Sequence, residues 1–91
     1  MQKKGYIYFM TNQSNKVLYI GVTSSLKRRI QVHYNCKKLV YFEVLPSMEQ
    51  AIAREKQLKH FMRKWKNELV ETMNPEWEDL GGKIVDDPDL V

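Results

Sequence analysis

The chain reads as a small α/β domain of the α+β type, strands and helices in one unit. Three observations lead there. Two runs rich in aromatic and β-branched residues flank a polar linker, a third such run stops at a proline, and a helix-initiation signature follows directly after it. At 91 residues, 43% hydrophobic and 29% charged, the chain is the size of one globular unit rather than two or a disordered segment.

Tyr6 to Thr11 and Val17 to Val22 have strand composition, and Asn12-Gln13-Ser14-Asn15 between them has the polar character of a hairpin loop. If Thr11 pairs with Lys16, Tyr8 falls directly opposite Tyr19 on one face of the sheet. Gly21 ends the second strand, and Thr23, Ser24 or Ser25 supplies the cap of the next helix. On that helix Leu26, Ile30 and His33 share an inward stripe with Arg29 at its edge, while Lys27, Arg28 and Gln31 point to water.

Lys38 to Leu45 reads as a third, more buried strand, stopped by Pro46. Ser47, with Gln50 three positions on, matches a capping box and opens the longest helix. Met48, Ala51, Ile52, Leu58, Met62, Trp65 and Leu69 share one face if that helix continues far enough, which makes Trp65 a core residue. Nothing in His60 to Glu71 forces a stop, so one long helix or two remain open. Glu55 falls in the middle of the apolar stripe, where an ionised carboxylate costs several kcal/mol unless compensated. Its compensation is either an ion pair with Arg29 or Arg54 or a bound metal ion. Asn74-Pro75 ends the helical region, and Trp77 anchors a return of the chain.

Charge is unevenly spread. Residues 1–75 hold 14 Lys/Arg against 5 Asp/Glu, whereas residues 76–91 hold Lys83 against six acids. A basic body attracts polyanions, nucleic acid first among them. The domain is therefore assigned to residues 1–80, with 81–91 as a flexible acidic tail. A single cysteine, Cys36, the lack of a signal-like run and the lack of a membrane-length apolar stretch fit a cytoplasmic protein with no membrane association.

The polar groups facing inward or sharing a face are Tyr8, Tyr19, Arg29, His33 and Glu55. They include no Ser/His/Asp set, no glycine-rich phosphate loop and no Cys/His cluster. They do suit phosphate chemistry: a guanidinium clamps phosphate, a lone carboxylate holds one hydrated divalent cation, and a phenol or imidazole passes protons.

Tyr6-Ile7-Tyr8 and Tyr19-Ile20-Gly21, Arg29, His33, Glu55 in Ala-Arg-Glu-Lys-Gln-Leu-Lys and Asn74 in Asn-Pro-Glu-Trp together resemble the GIY-YIG nuclease superfamily. The likeness is to its small stand-alone bacterial branch, and it covers residues 5 to 80. It implies a three-stranded antiparallel sheet flanked by helices, and a DNA endonuclease, active in repair or processing, that uses one Mg2+ or Mn2+ ion. It also implies Glu55 as metal ligand, Arg29 as charge stabiliser, Tyr8 or Tyr19 as the group that orients or deprotonates water, His33 as its aid, and Asn74 as a nearby support. Lys27, Arg28, Lys37 and Lys38 are the expected nucleic-acid contacts. Two departures stand out: Tyr6 replaces the first glycine of the motif, and His33 runs straight into Tyr34-Asn35-Cys36 where relatives carry a longer basic segment. The alternatives are a non-catalytic nucleic-acid-binding module of the same fold and, more weakly, a protein-interaction domain. A targeting protein partner is expected, and the oligomeric state is left open.

Overall fold

The structure, a computed structural model, describes residues 4–33 and 38–86, the side chains of 31–33 and 84–86 excepted. Its elements are β1 (Gly5–Thr11), β2 (Leu18–Thr23), α1 (Leu26–His33), β3 (Lys38–Leu45), α2 (Met48–Lys59), α3 (Arg63–Met73) and α4 (Gly81–Asp86). The three strands form one antiparallel sheet in the order β2-β1-β3, as the family resemblance implied. The most buried strand is β1 rather than β3. It is central, and all seven of its residues are buried.

Alternation along β1 divides the core in two. Tyr6, Tyr8 and Met10 pack with Leu26 and Ile30 of α1, Leu39 and Leu80 on one face. Ile7 and Phe9 pack with Ala51 and Leu58 of α2 and Val70 of α3 on the other. Helix α1, with α4 packed on it, thus covers one side of the sheet, and α2 and α3 the other. Gly5 lets α2 approach closely, because a Cβ there would lie 2.8 Å from the Ser47 carbonyl oxygen and against Ala51.

The hairpin register differs from the sequence expectation. Tyr8 lies opposite Gly21 and Tyr19 opposite Met10, a shift of two residues, and the loop is 12–17 rather than four residues long. Side chains inside the loop account for the extra length. The Asn12 Oδ1 accepts from the backbone N–H of Lys16 (2.9 Å) and Val17 (3.3 Å), Asn15 takes a left-handed φ of 60°, and Thr11 donates to the Asn15 Oδ1 at 3.2 Å. A shift of two preserves side-chain parity, so Tyr8 and Tyr19 still share a face, diagonally rather than directly opposed.

Ser47 caps α2 as its sequence signature indicates, its side chain accepting from the Gln50 N–H at 3.2 Å. The helix ends at Lys59, and Met62 is extended (φ −64°, ψ 154°) before α3 begins. That break resets the helical phase. Ala51 and Leu58 are buried, but Ile52 (41% exposed), Met62 (56%) and Trp65 (48%) face outward, so Trp65 is not a core residue. Trp77 does anchor the returning chain, packing against the α2 side of the core with a left-handed φ of 54°. The first part of the acidic tail, Gly81–Asp86, forms helix α4, packed on α1; residues 87–91 lie outside those described. Among the described residues, no helix is long and apolar enough to cross a membrane.

Candidate active site

Gly21 allows Tyr8 to lie flat across β2. A Cβ at Gly21 would overlap the Tyr8 hydroxyl and ring, so the ring occupies the space that any other residue would fill. Tyr8 is only 7% exposed, and its hydroxyl emerges where α1 begins. There the Arg29 Nε donates to the Tyr8 Oη at 2.8 Å, with the guanidinium carbon 5.7 Å from the ring centroid. A phenol oxygen that already accepts from a guanidinium keeps its own proton for another partner.

Helix α1 aims Arg29 because Leu26 and Ile30 are buried against β1 and β3. Ser25 caps it, its Oγ accepting from the Arg28 N–H at 3.4 Å, and the Thr23 Oγ1 accepts from the Ser25 N–H at 3.2 Å. Thr23, Ser24, Ser25, Arg28 and Arg29 line an open cavity of about 260 Å³. It offers two guanidinium groups and three hydroxyls, a donor set suited to phosphate oxygens. No acid in the first turn of α1 competes for those cations.

Glu55 lies on α2, in the layer on the other side of the sheet from Tyr8 and Arg29. Arg54 turns toward β3, where its Nε and Nη2 meet the two Glu43 carboxylate oxygens at 3.0 and 3.1 Å. The helical step of about 100° then turns Glu55 away from the Arg54 direction. Its side chain is 17% exposed, and its pair is Lys59 at 3.5 Å rather than Arg29 or Arg54. A single i,i+4 lysine is a weak partner and leaves carboxylate lone pairs available.

Among the described residues, no group of three or more His, Cys, Asp or Glu forms a cage for a metal. One half-buried carboxylate fits an ion that keeps most of its waters and takes further oxygens from phosphate, as Mg2+ does.

The remaining expected site residues are placed as follows. Tyr19, 46% exposed, shares the Tyr8 face on the edge strand. The backbone of α1 extends through His33, whose side chain lies outside the described residues, as do Lys37, Cys36 and the shortened segment after His33. Arg28 is exposed and Lys27 half-buried. Lys38 donates to the Trp77 carbonyl at 2.9 Å, so it ties the C-terminal loop to β3. Asn74 is buried and satisfied, donating to the Val40 and Glu78 carbonyls and accepting from the Glu78 N–H, all within 3.1 Å. Its contacts hold the α3–α4 loop on β3 and touch none of the other candidate residues.

The Glu43–Arg54 pair was not foreseen. Its signal was a lone acid, Glu43, between Phe42 and Val44 in an otherwise apolar strand. Tyr41 donates to the Glu43 Oε2 at 2.6 Å and Arg54 also donates to Gln57 at 2.7 Å. Burial alone would raise Glu43, but the hydrogen bonds from Arg54 and Tyr41 outweigh it and hold the carboxyl below its ordinary value. Burial, then the hydrogen bond to Glu43, pushes the Tyr41 phenol well above its usual range. This triad fixes the rotation of α2 against β3, and with it the side from which Glu55 projects.

The GIY-YIG catalytic domain matches residues 4–39, which span β1, the hairpin, β2, α1 and the start of β3. A UPF0213 protein of Syntrophus aciditrophicus is 34% identical, over 80% of this chain and 95% of that one. The solution NMR structure of a UPF0213 protein from Bacillus halodurans superposes with a TM-score of 0.60 at 26% identity, covering 84% of this chain and 92% of the other. The chain belongs to the GIY-YIG nuclease family. Within it, its similarity is to the small stand-alone UPF0213 proteins.

Proposed function

We propose that this protein is a divalent-metal-dependent endonuclease that hydrolyses DNA phosphodiester bonds in repair or processing. The observation that carries the reading is the 2.8 Å hydrogen bond from Arg29 to Tyr8 across Gly21, at the mouth of a cavity lined by arginine and hydroxyl groups.

In this scheme a backbone phosphate enters beside Arg29, whose guanidinium balances the charge that builds on the phosphoryl oxygens. Glu55 would hold the metal ion, which when bound would supply Lewis-acid polarisation of the phosphate and a source of activated water. Tyr8, held by Arg29, or Tyr19 orients the attacking water, or deprotonates it when present as the phenolate, and His33 assists proton transfer. The new P–O bond forms as the bond to the leaving oxygen breaks, and the leaving oxygen takes up a proton from solvent. Recognition follows backbone and shape, since among the described residues no element presents side chains suited to base edges in a groove.

The test is cleavage of labelled DNA in Mg2+ by wild type, Tyr8→Phe and Arg29→Ala. Removing one preorganised charge-stabilising donor costs roughly 10²- to 10³-fold in rate, so Arg29→Ala should fall by that much with its fold intact. Equal cleavage by wild type and Arg29→Ala would overturn the reading.

A further inference from the structure

A second basic surface lies on the other side of the sheet from the Tyr8–Arg29 site. Residues 56–67 contain Lys56, Lys59, Arg63, Lys64 and Lys66 and no acidic residue. Trp65 stands among them 48% exposed, with Met62 beside it at 56%. Phe61 is partly buried against the core and meets the indole edge-on, centroids 5.7 Å apart at 88°. That contact braces the Trp65 ring and leaves at least one of its faces clear of Phe61.

Position supports a role along the same substrate. Arg63 donates to the Asn15 and Lys16 carbonyls at 2.9 and 3.2 Å and to Asn67 at 2.8 Å, which clamps the start of α3 to the hairpin tip. The aromatic platform therefore sits at the hairpin end of β2, the strand that carries Tyr19 and Gly21. The charge selects the kind of partner. Protein-binding surfaces are depleted of lysine around their buried aromatic centres, whereas an exposed ring among lysines matches a polyanion whose bases stack on it.

We propose that Trp65 is a stacking platform for an unpaired base of single-stranded nucleic acid, with Lys64 and Lys66 drawing in the flanking phosphates. The binding stands whether or not the chain cleaves, so its failure and the failure of the nuclease reading are separable.

The experiment titrates labelled oligothymidylate and a labelled duplex of equal length into wild type, Trp65→Ala, Trp65→Phe and Lys64→Glu in chelator. The expected result has four parts. Single strand quenches wild-type tryptophan fluorescence. Trp65→Ala weakens single-strand binding roughly tenfold, the loss of one stacked base, and leaves duplex binding unchanged. Trp65→Phe keeps most of the affinity but loses the quench. Lys64→Glu weakens binding and flattens its salt dependence. Equal single-strand affinity for wild type and Trp65→Ala overturns the proposal, as does a concentration-dependent dimer that Trp65→Ala dissociates without changing oligonucleotide binding.

Discussion

Gly21→Ala tests how the site is assembled. The new methyl would overlap the Tyr8 hydroxyl and ring, where ordinary contact needs roughly 3.5 Å, so the phenol must move by about 1 Å or more. Tyr8 cannot yield cheaply. It is 7% exposed on the central strand, with β2 and β3 paired on either side. Overpacking of this kind costs about 1–3 kcal/mol, and the displaced phenol loses its 2.8 Å hydrogen bond from Arg29. A double-mutant cycle with Tyr8→Ala, followed by thermal melting, separates the steric effect from any backbone effect. With the ring removed, Gly21→Ala should cost less by 1 kcal/mol or more, a coupling of the size seen between touching residues. Cleavage should fall in Gly21→Ala alone to near the Tyr8→Phe level. If Gly21→Ala melts and cuts like wild type, or if the two substitutions are additive, Tyr8 does not lie where this account puts it.

Further outcomes follow from other parts of the structure. Glu43 is held below its ordinary carboxyl value in the folded protein, so its contribution is present above about pH 4.5 and is lost as pH falls through the lowered value. Melting temperature against pH should therefore show a shallower acid limb in Glu43→Gln. Tyr41 has the opposite sign: its raised value favours folding below the ordinary phenol range and weakens it as pH rises beyond about 10. Tyr41→Phe should flatten the alkaline limb of the same profile. Ser47→Ala removes the α2 cap and should cost about 1 kcal/mol, a fall of roughly 4–8 °C in melting temperature, with cleavage per folded molecule unchanged.

Much of the fold was legible because short-range rules agreed with tertiary packing. The third strand came out with the bounds Lys38–Leu45, and Ser47 caps α2 as its spacing indicated. What failed depended on information not local to a residue. The hairpin register was set by side chains folding inside the loop, where Asn12 captures two backbone N–H groups. The exposure of Trp65 followed from a helix break at His60–Met62 that no proline or glycine announced.

The candidate site was legible in the same uneven way. Tyr8 and Arg29, 21 positions apart, do meet, because the β2–α1 turn returns the chain over Gly21. The anomaly of Glu55 survives as a half-buried carboxylate with one weak lysine partner. The pair with Arg54 considered for Glu55 does not form: Arg54 meets Glu43 and Glu55 meets Lys59, because neighbouring helical positions face different directions.

The most direct measurement is cleavage of branched, duplex and single-stranded DNA in Mg2+, in Mn2+ and in chelator, by wild type and Glu55→Ala side by side. The account predicts metal-dependent cutting by wild type that chelator abolishes and Glu55→Ala lacks, while the mutant binds DNA as before. Cutting that persists in chelator or in Glu55→Ala would contradict the assigned metal ligand, and binding without cutting by wild type would make the protein a nucleic-acid-binding module on a nuclease fold.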